Sequence, residues 1–309
     1  MKHSTRRFRR VSAKRTRRLP SKRAGRDHMK PGTPTLSARP VHTDHSQQYD
    51  FANILFAGPC NQRCFYCIGH QVDPALNQNN LDEFPLRNQD AFVDLLRQHH
   101  VRQIVFTGTN TDPQLYRHEA RLIGWLRGQL PDAQISLHTN GQLALDKIKV
   151  FNLYDRATVS FPSFDPDTFE KMTSTRQMPD LAAIVRTTRI PVKVSCLVNE
   201  HNADQVDEFL TRCHEIGVRR LVLRQPYGPT SRRHAFVPLK PGAGCTLSGV
   251  YRNNPVYDYR GMEVTCWRFF RTVSTALDLF SDGSISTEYL LTRASSRSNE
   301  TQIDTDLRG

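Results

Sequence analysis

The chain has 309 residues, 38% of them hydrophobic, and a formal charge of +13. That length allows one large domain or two small ones around a sizeable core, which excludes full-length disorder, and no run reaches the ~18 apolar residues that a membrane span needs. Thirteen of the 43 basic residues and a single acid, Asp27, fall in the first 30 positions, so the positive charge belongs to a tail and says little about the folded body.

Residues 1–48 read as a disordered basic tail and linker: no apolar periodicity, too much like charge to collapse, and Pro31, Pro34 and Pro40 among polar residues. Three roles stay open for it: an extension dispensable upstream of Met29, an arm that binds nucleic acid through its phosphates, or an Arg-rich targeting segment. The N-terminus lacks the apolar stretch of a secretory signal, and the chain is expected to be cytoplasmic.

From 51 to about 226 short apolar runs alternate with longer amphipathic ones, which is the pattern of βαβ units around a parallel sheet. Strands are predicted at 51–57, 103–108, 134–139, 157–161, 191–198 and 218–224, with helices near 88–99, 114–129, 142–150, 165–188 (broken at Pro179) and 202–216. Right-handed crossovers curl six such units into a partial (β/α)6 TIM-like barrel whose ligands sit at the carboxyl ends of the strands. This core is placed at 49–226. A C-terminal extension, 227–294, opens on a loop holding Arg232 and Arg233, expected to be solvated, and then contains strand-like stretches and an Asp282-Gly283 turn; it is expected to form a small β-containing cap, with a flexible tail over 295–309.

Three of the seven cysteines, Cys60, Cys64 and Cys67, form a C-x3-C-x2-C pattern directly after the first strand. Three thiols so close are poor disulfide partners but can converge on a soft metal. Zinc would need a fourth ligand, for which His70 is placed; an iron–sulfur cubane held at three corners would leave one iron open. The position of the loop, where catalytic segments of a barrel gather, favours the cluster. Cys196 and Cys213 read as buried small hydrophobes, and Trp125 and Trp267 as packing residues.

The motif, with Tyr66 before its last cysteine, resembles that of the radical S-adenosylmethionine superfamily, and the segments TNG (139–141), PSFDPDTFEKMTS and PVKVSCLVNEHNADQVDEFL resemble the MoaA branch. The resemblance covers about 51–226. It implies a 4Fe–4S cluster on Cys60, Cys64 and Cys67 as the catalytic centre and a molecule of S-adenosylmethionine on its open iron. It also implies an electron donor such as flavodoxin or ferredoxin, and reductive cleavage to a 5′-deoxyadenosyl radical that abstracts a substrate hydrogen. Carried over, Tyr66, Gly108, Thr109, Asn110 and Ser160 would bind the cofactor. Gly108-Thr109-Asn110 departs from the family's Gly-Gly-Glu, and Asp112 is the candidate for the missing charge. His138, Lys193 and Arg224 are the candidate substrate contacts. Val105 and His138 replace two GTP contacts of the MoaA branch, and only Cys245 and Cys266 lie beyond the barrel where that branch has three cysteines, so GTP cyclisation is not expected. A zinc-stabilised nucleic-acid-binding protein that uses the basic tail is the alternative from another class.

Overall fold

The computed structural model describes residues 49–227 and 239–287; the basic tail and linker, Arg232, Arg233 and the tail expected over 295–309 lie outside them. The six predicted strands form at β1 (Phe51–Phe56), β2 (Gln103–Gly108), β3 (Gln134–Thr139), β4 (Arg156–Ser160), β5 (Val192–Leu197) and β6 (Arg220–Arg224). They pair in sequence order, all parallel. Each is connected by a crossover containing helix, as parallel pairing requires.

The helices are α1 (Gln89–Gln98), α2 (Glu119–Gln129), α3 (Ile148–Phe151), α4 (Pro166–Thr173), α5 (Leu181–Thr187) and α6 (Val206–Glu215). The break predicted at Pro179 separates α4 from α5. Each of these two starts on an aspartate cap: Asp165 accepts from the Thr168 amide and Asp180 from the Ala183 amide, both at 2.8 Å. Apolar residues at helical spacing, such as Phe92, Val93 and Leu96 in α1 and Phe209, Leu210 and Cys213 in α6, are buried against the sheet. The helix predicted over 142–150 shrinks to the single turn of α3, because Gly141 is left-handed and the following residues form turns.

Period-two alternation divides these six strands between two environments. Ile104 and Phe106, Ile135 and Leu137, and Leu221 and Leu223 join the main hydrophobic core, while the intervening residues turn to the other face, the lumen.

The C-terminal region is β-containing, as expected, and its strands merge with the same sheet. After β7 (Thr246–Tyr251) and β8 (Asn254–Tyr259), strand β9 (Met262–Trp267) pairs parallel with β6. Strand β10 (Ala276–Leu279) pairs parallel with β1 on the opposite edge and carries the short β11 (Ile285–Ser286). The described strands therefore form one open eleven-stranded sheet in which eight neighbours run parallel. The β7–β8 hairpin escapes sequence reading because β7 is exposed along its whole length and shows no alternation. Its two-residue turn is left-handed at Arg252 and Asn253, without the glycine that usually announces such a turn.

Candidate functional site

At the carboxyl ends of β1, β2 and β3 three loops are laced together. The cysteine loop leaves β1 at Gly58, whose amide donates to Asn110 Oδ1 at 3.1 Å, and Thr111 Oγ1 donates to the Pro59 carbonyl at 2.6 Å. Thr109 caps β1 twice, its amide and hydroxyl both donating to the Phe56 carbonyl. Gly69 lies so close to this turn that a Cβ there would stand 2.5 Å from Asn110 Cβ and 2.6 Å from the Thr109 carbonyl oxygen. A Cβ on Gly108 would stand 1.7 Å from the Thr111 carbonyl oxygen, which explains why the turn begins with glycine. The polar side chains of Thr109 and Asn110 are thus engaged in bracing the cysteine loop.

Asp112 completes the lacing. Buried, it accepts from the Asn140 amide at 2.6 Å, the Gln114 amide at 2.9 Å and the Thr139 hydroxyl at 2.9 and 3.0 Å. Burial pushes its carboxyl above the ordinary range against the pull of those donors. Its bonds anchor the loop after β2 to the end of β3. Asn140 passes the connection on, donating from Nδ2 to Asn61 Oδ1 at 2.7 Å in the cysteine loop. Sequence reading missed Asn61, whose role depends on this three-loop contact.

Cys60, Cys64 and Cys67 are partly buried on this rim. Cys67 Sγ donates to the Thr109 carbonyl at 3.6 Å and the Tyr66 hydroxyl hydrogen-bonds Cys64. Burial raises all three thiols, Cys64 to about 12; Cys64 also feels the charges of Cys67 and Cys60, and Cys60 that of Cys67. Ionising all three at this rim would call for a cationic centre among them. His70 is exposed, and among the described residues no group of three His, Cys, Asp or Glu side chains is arranged to hold a single metal ion. A cluster asks for less convergence, because each thiolate binds a separate iron. The donor set fits a cubane on this chemistry. Cys196, Cys213 and Cys266 are buried in the hydrophobic core, and Cys245 packs at its edge with Sγ on the Pro241 carbonyl.

Beneath the rim the sheet encloses a cavity of about 510 Å³. The strand register sorts its walls into layers. Thr158, Lys193, Arg220 and Glu263 are successive partners across β4, β5, β6 and β9, and His138 joins through Thr158. One layer lower Ser136 faces Arg156; two layers higher Arg224 pairs with Trp267 near the carboxyl rim. His138, Lys193 and Arg224 thus line one cavity. Ser160 ends β4 beside Ser195, at the rim. Trp267, expected to be packing, lines the cavity with Phe269, edge to face at 6.4 Å. Arg156, Arg220 and Ser195 were not singled out in the sequence; their only signal was the alternation that turns them inward.

The electrostatics are lopsided. Arg156 donates only to neutral partners, Ser136 and Gln103, both at 2.9 Å, while Arg220 pairs with Glu263 at 3.0 Å. Desolvation, then the charges of Arg220, Arg224 and Arg156, pull the Lys193 ammonium down to about 8. Burial and the Lys193, Arg224 and Arg156 charges hold His138 well below its ordinary value, so it is neutral near pH 7.

The chain is 26% identical over 179 residues to a probable GTP 3',8-cyclase of Saccharolobus solfataricus, covering 55% of this chain and 54% of the relative. It is 25% identical over 220 residues to the GTP 3',8-cyclase of Rhodopseudomonas palustris, covering 67% and 62%. The chain spans about half the length of the first of these. Among solved structures, Streptococcus suis SuiB bound to its precursor peptide SuiA matches with a TM-score of 0.46 at 13% identity, over 58% of this chain and 40% of that one. Residues 54–234, more than half of the chain, match the model of the radical SAM superfamily; with its MoaA-like relatives, its three-cysteine loop and its parallel sheet, the chain belongs to that superfamily of enzymes.

Proposed function

We propose that this chain is a radical S-adenosylmethionine enzyme that takes a hydrogen atom from a substrate held in the sheet lumen. The observation that carries the reading is the cysteine loop laced onto the carboxyl rim of that lumen. Cys60, Cys64 and Cys67 would hold a 4Fe–4S cluster, and Tyr66, Gly108 and Ser160 lie on the same rim where S-adenosylmethionine would bind. When bound, the cluster supplies the electron that splits the sulfonium of S-adenosylmethionine and yields a 5′-deoxyadenosyl radical. The chain's own residues have three tasks. Thr109, Asn110 and Gly69 fix the cysteine loop, and Asp112 and Asn140 fix the neighbouring loops against it. The apolar outer face of each strand, packed under the helices, seals the lumen from that side, which limits loss of reactive species to water. His138, Lys193 and Arg224 present a neutral ring and two cations to the substrate.

The relatives' GTP cyclisation is not proposed here: Val105 stands in the lumen where the MoaA branch has a basic GTP contact, and Cys266 faces the hydrophobic core instead of a second cluster. An electron donor of the flavodoxin or ferredoxin type is required. Among the described residues no helix is long and apolar enough to cross a membrane. Anaerobic reconstitution should load about four iron per chain, and S-adenosylmethionine with a strong reductant should then give 5′-deoxyadenosine. A fully loaded chain that forms none contradicts the proposal.

A further inference from the structure

The lumen has a direction. Its lining includes Thr188, Ile190 and Pro191, just before β5, and Gly217 and Arg219, just before β6. These residues stand at the amino ends of the strands, and Pro191, Gly217 and Arg219 are exposed there, so the cavity reaches solvent at the end opposite the cysteine loop. Its upper boundary is the layer of Arg224, Trp267 and Phe269; no residue of the cysteine loop lines it.

Its charge is equally one-sided. Six basic side chains line it, against Glu263 alone on the acidic side, and that carboxylate is shared with Arg220. Among the described residues Lys193 makes no hydrogen bond or ion pair, and the buried Ser195 hydroxyl in the next layer has no partner. Holding several cations in a half-dry lumen is unfavourable unless an anion joins them. A guanidinium pair flanking an ammonium is a donor set suited to phosphate or carboxylate oxygens.

We propose that the lumen admits, from the amino ends of the strands, a substrate carrying a phosphate or carboxylate group, which Lys193, Arg156 and Arg220 hold with help from Ser195. Lys193 lies four residues below the end of β5, so at ~3.3 Å per residue the anion rests ~13 Å under the carboxyl rim. The substrate is therefore elongated, with its charge at one end and its reacting C–H at the other. The inference rests on the proposed function for what the far end meets; the anion site and its entrance stand apart from it.

The test uses the full chain without cofactors, so failure here leaves 5′-deoxyadenosine formation to be judged separately. Trp125 and Trp267 are the two tryptophans, and Trp125→Phe leaves Trp267, at the top of the lumen, as the reporter. Titration with inorganic pyrophosphate and with succinate should change its fluorescence, the stronger response naming phosphate or carboxylate as the group. Lys193→Met and, separately, Arg156→Gln should each weaken the binding tenfold or more. Affinity should fall as the pH rises past about 8, where Lys193 loses its proton; the other titratable and charged groups that face it are Arg156, Arg220, Arg224, Glu263 and His138. In stopped-flow mixing, Arg219→Glu at the lower mouth should slow association severalfold, while Arg63→Glu on the exposed cysteine loop should not. No response to either anion, equal affinity in the two lumen variants, or slowing by Arg63→Glu in place of Arg219→Glu would overturn the proposal.

Discussion

Replacing Lys193 with methionine should make the protein more stable and less able to bind its substrate. The Lys193 ammonium is pulled from 10.5 to about 8 by desolvation and by Arg220, Arg224 and Arg156. At ~1.4 kcal/mol per unit the charged form costs the fold roughly 3 kcal/mol. The side chain is partly exposed, and solvent screening reduces this to about 1–2 kcal/mol. A chain of this size gains ~2–4 °C in Tm per kcal/mol, so Lys193→Met should melt about 2–8 °C higher near pH 7. The sign with pH follows from linkage. The folded pKa lies below the unfolded one, so the penalty is fully present below about pH 8 and fades as the pH rises toward 10.5, where the unfolded lysine also loses its proton. The advantage of the variant should therefore shrink between pH 8 and 10. Thermal and denaturant unfolding of both chains across that range measures it. A variant less stable at pH 7, or an advantage that does not change with pH, would refute the reasoning.

Other expectations follow from the laced loops. Asp112→Ala strands the Asn140 and Gln114 amides and should cost about 2–4 kcal/mol in denaturant unfolding, since bonds to a charged acceptor contribute ~1.5–3 kcal/mol each and water recovers part of the loss; iron loading should drop with it. Gly69→Val forces a side chain against Asn110 and the Thr109 backbone, and should cost ~1–3 kcal/mol and reduce iron content while the far-ultraviolet dichroism stays native. Ser195→Ala removes a hydroxyl that has no partner among the described residues. Stability should change by less than about 1 kcal/mol or rise, whereas the KM for substrate should increase; unchanged KM would remove Ser195 from the site.

Much of this arrangement was legible in the amino-acid sequence for a simple reason: strands β1 to β6 are short apolar runs bounded by turn residues, and the cysteine spacing lies within one loop. His138 could be chosen because it precedes Thr139-Asn140-Gly141 at a strand's carboxyl end, and Lys193 because a cation inside a barrel strand is costly unless paired with an anion. Their meeting in one layer could not, since it depends on the register between β3, β4 and β5. Arg156 and Arg220 sit at strand starts, where a charged residue ordinarily meets water, and only closure of the sheet around them makes them part of a chamber. Asp112 shows the opposite case. Sequence position made it a candidate for the cofactor's missing carboxylate; its three donors, the Gln114 and Asn140 amides and the Thr139 hydroxyl, come together only through the contact between the β2 and β3 loops. Strands β9 and β10 were recognised as strands, yet their parallel docking on opposite edges of the sheet is a long-range choice that no local pattern announces.

The central claim is that Cys60, Cys64 and Cys67 grip three corners of an iron cubane and leave the fourth to S-adenosylmethionine. Mössbauer spectroscopy of the reconstituted, isotopically enriched protein tests it most directly. The account predicts that on adding S-adenosylmethionine roughly one iron in four separates from the rest and takes on harder, more highly coordinated character. A spectrum that S-adenosylmethionine leaves unchanged, in a protein fully loaded with iron, would contradict it.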